Sequence, residues 1–189
     1  MEEYNCQARQ RMLRKQKRQR GQALVEFAVV MSFVLFPIFA GAVDLSNLLD
    51  SHLGIVYATR QAARVGAEED QNAVADCAIL GSIYAATKNL NLVTITRIVI
   101  FQIDSTGTVT GKKDVYAGNP GCPNPASPPV ASPNTWNPAV TPSLRNDTPP
   151  NEDSIGIEID YTYSWQTGFI ATGSFTGTDQ TIMKLNPVV

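Results

Sequence analysis

The sequence predicts an α+β protein in which one long N-terminal helix crosses a membrane and then packs on a small antiparallel sheet. Three observations carry this. An apolar run near the N-terminus is long enough to span a bilayer, helical spacing of apolar residues continues beyond it, and the period changes from 3.6 to 2 after residue 92. The totals alone say less. With 189 residues, a net charge of −2, 43% hydrophobic and 17% charged residues, the chain has the composition of one soluble domain. That average conceals a mosaic, because seven of the 15 basic residues precede Gly21 and ten of the 12 prolines lie between Pro120 and Pro150. The near-neutral total excludes a uniformly basic nucleic-acid binder, and one His with three Cys leaves little material for a zinc centre.

The run from Ala23 to Val43 carries a single charged residue, Glu26. At about 1.5 Å rise per residue it measures roughly 30 Å, the thickness of a bilayer's hydrocarbon core. A buried core helix is the alternative, but it needs a polar stripe at some phase of the helical period, and none runs between Phe27 and Val43. The basic cluster Arg9, Arg11, Arg14, Lys15, Lys17, Arg18 and Arg20 places the N-terminal side in the cytoplasm and the chain beyond Asp44 outside. Ala40-Gly41-Ala42 imitates a secretory cleavage site, but the run is long for a signal peptide. Pro37 removes one backbone donor in mid-span and is expected to kink the helix.

Glu26 is the informative residue of the run. A carboxylate at mid-membrane costs about 2.5–3.5 kcal/mol, less near the edge, so an ionisable group there points to function unless it simply reaches the headgroups. Its surroundings favour function: a basic stretch ends at Arg20, Gly21 follows, and the apolar helix begins Gln22-Ala23-Leu24-Val25-Glu26-Phe27. This arrangement resembles the type IV prepilin signal, which implies a cut by a prepilin peptidase between Gly21 and Gln22 at the cytoplasmic face. Gly suits a cut site because it admits close backbone approach and is expected to interrupt the helix before the span. The new amine at Gln22 would lie about 6 Å along the helix from Glu26, so the amine of one subunit can neutralise the Glu of a staggered neighbour.

Arg20 to Ala28, the apolar run, Val43-Asp44-Leu45 and Gln61 to Ala67 together resemble the TadE-like family, minor pilins or pseudopilins of the Tad (tight adherence) pilus. Glu26-Phe27 takes the place of that family's Glu-Tyr or Glu-Phe pair, whereas Leu45-Ser46-Asn47 departs from its usual Gly-Arg after the Asp. The resemblance covers roughly residues 20–67; beyond it only Thr181 to Pro187 loosely matches. It implies a basic cytoplasmic leader at 1–21, a transmembrane helix at 22–43, an amphipathic stalk at 44–68 and an exported domain at 69–189, in a pilin-like fold. It further implies an inner-membrane protein with its N-terminus inside, which then enters a pilus on the outer side. Its partners would be the peptidase, other pilin or pseudopilin subunits, the inner-membrane assembly platform and the lipid bilayer. The competing reading is an uncleaved single-pass protein whose outer domain is an adhesin, a binding module or an assembly factor.

Beyond the span, Leu45, Leu48, Leu49, Leu53, Val56, Ala63 and Ala67 recur at helical spacing and are expected to form the buried face of the stalk. A polar break from Glu68 to Asn72 precedes a second helix whose face is read as Ala73, Cys77, Leu80, Tyr84 and Thr87, ending by Asn89 or Asn91. Then Val93, Ile95, Val99, Phe101 and Ile103 alternate with polar residues, and Asp104 to Gly107 turns the chain into a strand at 108–116. The clearest strand is Ile155–Trp165, with Ile155, Ile157, Ile159, Tyr161, Tyr163 and Trp165 on one side, as expected of an antiparallel sheet covering a helix. A last strand falls within Thr176–Leu185. The Pro-rich segment 119–153, with Trp136 as its main apolar anchor, is expected to stay extended and outside the sheet, either as a disordered insertion or as a display loop.

The odd cysteine count is resolved by the implied cut, which leaves Cys6 with the leader and Cys77 and Cys122 in the mature chain, either as a disulfide or as two thiols. No nucleophile–His–acid or metal constellation can be assembled, and no catalytic residue, metal or cofactor is expected. The single His, His52, reads as a solvated helix residue. Gly107 to Lys113 has three residues between its glycines where a phosphate-binding loop has four, and no Ser or Thr after the Lys. Asp147, Asn151, Glu152 and Asp153 lack the spacing of a calcium loop. Glu158 and Asp160 read as a solvated strand face. Removing residues 1–21 takes away seven positive and two negative charges, so the remaining 168 residues carry −7.

Overall fold

The computed structural model describes residues 2–69, 71–140, 145–146, 151–168 and 171–185, with residues 2–21 described as backbone. Asp70, Asp147, Asn186 and Pro187, which entered the sequence reading, lie outside the described residues. The first element, α1, runs without interruption from Glu2 to Glu69 and includes Pro37. Its 68 residues measure about 100 Å at the helical rise. Gly21 does not interrupt it, contrary to expectation: the flanking Arg, Gln, Ala and Leu residues are good helix formers, and one Gly costs only about 1 kcal/mol. A short turn then leads to α2 (Ala75–Thr87), prepared by Asn72, whose Oδ1 accepts from Val74 N–H at 3.2 Å.

Four strands follow, β1 (Val93–Ile103), β2 (Val109–Ala117), β3 (Ser154–Ser164) and β4 (Ser174–Lys184). They form one sheet in the order β2-β1-β3-β4, antiparallel at every pairing. Asp104 closes the β1–β2 hairpin, its carboxylate accepting from Thr106 N–H and Thr108 N–H at 2.9 Å each. The Thr106 hydroxyl, which donates to the same carboxylate at 2.6 Å, and these N–H groups hold the Asp104 carboxyl below the ordinary aspartate range. The core lies between the C-terminal part of α1, α2 and one face of the sheet, and contains Ile55, Ala58, Ala62, Ile79, Ile83, Ile98, Ile157 and Ile159.

Three expected faces are borne out only in part. On α1 the buried residues are Asp44, Ser51, Ile55, Ala58, Thr59, Ala62, Ala63, Gly66 and Ala67, whereas Leu45, Leu49 and Leu53 are exposed and Leu48 and Val56 only partly covered. Small side chains win this face because they let α1 approach its neighbours. A Cβ on Gly66 would lie 2.6 Å from Ile155 Cδ1 and 3.0 Å from Ile79 Cδ1. On α2, Cys77, Leu80 and Thr87 are buried as expected, but Ala73 precedes the helix and Tyr84 is exposed, and Ile79 and Ile83 complete the buried face. On β1 a bulge between Ile95 and Arg97 inserts an extra residue, so Ile95 and then Ile98 and Ile100 face the main core. Val99, Phe101 and Ile103 are thereby moved to the opposite face, where they form a small cluster with Val115. Phe101 lies over Gly156, where a Cβ would come within 2.2 Å of its ring.

The alternation of β3 matches its burial from Ile155 to Tyr163, but Trp165 lies past the strand end and packs edge-on against Tyr163 at 5.4 Å. The Pro-rich segment does not stay out of the sheet. Ser132 N–H donates to Val115 O at 2.7 Å, Val115 N–H to Pro133 O at 2.9 Å and Thr135 N–H to Lys113 O at 3.2 Å, so residues 132–135 run along the outer edge of β2. Prolines with free carbonyls can accept from an edge strand although they cannot donate to it.

Candidate functional site: the span and its junction with the sheet

From Gln22 to Phe39 every described side chain of α1 is exposed, so nothing else among the described residues covers the apolar run. This part of the helix is long and apolar enough to cross a membrane by length and composition. Gly21 and Gln22 lie within α1, and Phe27 projects from it, 62% exposed. The Glu26 carboxylate also stands on the bare surface, and its neighbour one turn back, Gln22, donates Nε2–H to Glu26 Oε1 at 3.1 Å. Ser32 donates to Ala28 O at 2.8 Å, which satisfies its hydroxyl inside the helix.

The exposed run ends at a built junction. Asp44, the first charged residue after the span, is fully buried, and its carboxylate accepts from Thr167 N–H at 3.0 Å and from the Thr167 hydroxyl. Tyr163 OH donates to Asp44 O at 3.4 Å, and one turn on, Asn47 Nδ2–H donates to Gln166 Oε1 at 2.7 Å. The β3–β4 hairpin is thus tied to the helix where the apolar run stops. His52 is exposed as expected, yet its Nδ1 lies 3.1 Å from Tyr161 OH, so it joins the same seam.

A second buried polar cluster fixes the Pro-rich segment. Asp76 on α2 pairs with Arg145, accepts from Tyr116 OH at 2.7 Å, and Arg145 lies over the Trp136 ring at 4.6 Å. Trp136 N–H donates to Asp114 Oδ1 at 2.9 Å and Asn137 Nδ2–H to Tyr116 OH at 3.2 Å. Burial pushes the Asp114 carboxyl up to about 6, with the Asp76 charge adding and the Trp136 N–H and Arg145 opposing. Burial and Asp76 likewise push the Tyr116 phenol up. The sulfurs of Cys77 and Cys122 are bonded across a Cα separation of 5.2 Å, adding a covalent tie between α2 and the start of the segment.

The other candidates are dispersed. Glu152 pairs with Lys184 at 2.9 Å, which lowers its carboxyl, and Asp153 accepts from Gln102 Nε2–H at 2.6 Å and Asn146 N–H at 3.0 Å. Among the described residues no three His, Cys, Asp or Glu side chains converge as metal ligands would. Glu158 and Asp160 are not merely solvated, since Arg97 bridges both at 3.1 and 2.6 Å.

Residues 21–64, from the glycine before the span to the docked half of α1, match the family described as TadE-like protein. This stretch is similar to TadE-like proteins. The TadE-like segment contains both Glu26 on the bare helix and Asp44 at the junction, and ends shortly before Gly66. No curated protein and no solved structure matches the chain. The roles of Asp44 and Asp76 are absent from the sequence reading. Their signal was there: each is a lone acid beside apolar helix positions, which demands a partner when buried.

Proposed function

We propose that this protein is a structural minor pilin of the Tad type, inserted with its N-terminus in the cytoplasm and cut after Gly21. Its work is assembly, not catalysis. The observation that carries this reading is the TadE-like match over residues 21–64 on a helix whose apolar half has no cover from the other described residues. Such a surface needs lipid before assembly and other helices after it. Among the described side chains Glu26 has the neutral Gln22 amide as its hydrogen-bond partner, and its charge is left to be balanced by the Gln22 amine of a neighbouring subunit. In this reading the basic leader, with Cys6, stays behind, and the Cys77–Cys122 bond belongs to the mature exported part.

N-terminal and intact-mass analysis of protein made with its cognate prepilin peptidase tests the cut. A chain beginning at Gln22 and lighter by two hydrogens than its reduced form is expected. A chain beginning at Met1 overturns the pilin reading and leaves an uncleaved membrane anchor for an outer adhesin or assembly factor. Glu26→Ala is expected to be cut normally and to be lost from pili, as measured by immunoblotting of sheared fibres. Normal incorporation removes the carboxylate from the assembly step.

A further inference from the structure

We infer that a polar cleft at the foot of the sheet domain binds the primary ammonium of a zwitterionic phospholipid headgroup. The inference rests on the reading that residues 23–43 span the bilayer. The cleft encloses about 230 Å³ and brings together Asn47, Asp50 and Ser51 of α1, Asn89 and Asn91 of the turn before β1, and Gln166 of the β3–β4 hairpin. Its three walls are pinned to one another: Ser164 N–H donates to Leu92 O at 2.9 Å and Asn47 Nδ2–H to Gln166 Oε1 at 2.7 Å. Leu90 packs so closely on α1 that a Cβ at Gly54 would lie 3.0 Å from it. The cleft is therefore a fixed shape, not a gap between loose loops.

Its chemistry selects for a donor-rich cation. The lining holds one carboxylate, Asp50, four amides and a hydroxyl, and no Lys or Arg. The side chains of Asp50, Asn89 and Asn91 make no hydrogen bond or ion pair with other described residues, so their side-chain oxygens are available. A primary ammonium has three N–H donors, which one carboxylate and two amide carbonyls can satisfy. A quaternary ammonium offers no N–H, and a phosphate alone would meet Asp50 without a cation to hold it. The height also fits. Asn47 lies about 6 Å beyond Val43 along the helix, inside a headgroup layer roughly 5–8 Å deep, and Asp50 lies about 10 Å beyond it, at the outer rim of that layer, with its side chain directed back over the preceding turn.

The test uses the full chain reconstituted in vesicles of phosphatidylcholine alone, or with a minor fraction of phosphatidylethanolamine or of phosphatidylglycerol. Flotation reports insertion, and native mass spectrometry after gentle detergent extraction reports retained lipid. Phosphatidylethanolamine is expected to be retained about tenfold over the other two lipids, the size of one charge-assisted contact. Soluble ethanolamine should compete it away, whereas soluble phosphate should not. Asp50→Asn and, separately, Asn89→Ala with Asn91→Ala should reduce retention to the phosphatidylcholine level; all three residues are exposed, so the fold should tolerate both changes. Flotation with equal retention of all lipids, or retention unchanged in Asp50→Asn, overturns the inference alone. Failure to float overturns the span reading and the inference with it.

Discussion

The two halves of α1 are chemically opposite although they are one continuous helix. From Gln22 to Phe39 the side chains are mostly large and apolar, and every described one is exposed. From Asp44 to Ala67 the covered positions are mostly Ala, Ser, Thr, Gly and Asp, whereas the larger Leu45, Leu49, Leu53 and Tyr57 stay exposed. Hydrophobicity alone would have put the leucines inside. What decides is the distance of approach: a helix lying against both a second helix and a sheet is best covered where its side chains are short, because dispersion and area burial depend on close contact. The exposed leucines then continue the apolar surface of the run beyond Val43. One side of the helix is thus left bare and the other is covered by its own domain.

The sharpest way to break this contrast is to add bulk to each half. Gly66→Val should destabilise the sheet domain by up to about 3 kcal/mol, since its new atoms collide with Ile155 and Ile79. Ala28→Val in the span should leave the domain's denaturation midpoint unchanged. Equal effects of the two would show that the halves are not independent. Next in size, Asp44→Ala should cost about 2 kcal/mol by removing the buried carboxylate that accepts two hydrogen bonds from Thr167. It should raise amide exchange at residues 165–168 before the rest of the sheet, and uniform protection there would remove the junction role.

The smallest expected effect concerns the buried cluster that fastens the Pro-rich segment. Asp114 sits at about 6 in the folded chain against 3.8 for the ordinary group, so the folded state holds its proton more tightly than the unfolded state does. This contribution is therefore favourable at low pH and is lost as pH rises from about 4 through 6. Between pH 5 and 7.5 the loss should be about 1 kcal/mol, by the linkage of pKa to stability. Asp114→Asn should flatten that slope in pH-dependent denaturation. An unchanged slope would assign it to another group.

Much of this fold is legible from residue order because its signals are local. The span is a run of apolar residues, β3 is an unbroken alternation from Ile155 to Tyr163, and Asp104 with Gly107 (φ +84°) turns the chain between β1 and β2. The errors arise where the outcome depends on a neighbour. Periodicity in β1 reads correctly up to Ile95, but the bulge is fixed by pairing with β3 and reverses every later side chain. The Pro-rich segment looks incompatible with a sheet, yet an edge strand needs only a few well-placed carbonyls and N–H groups. Glu26, Gly21 and Gln22 stood out because a charge and a glycine at the head of an apolar run are visible without a structure. Asp44, Asp76 and Arg145 did not, since what makes them matter is burial.

The sequence by itself determined which residues can face lipid, where the charge in that surface lies and which segments form strands, because hydrophobic run length and period are properties of the chain alone. Only the tertiary structure decided that short side chains, not leucines, form the docking face of α1, and that Asp44 fastens the hairpin where the span ends. It also decided that the β2 edge is covered by the Pro-rich segment. Each of these turns on how closely two distant pieces of chain approach, and close approach is set by the shapes of both.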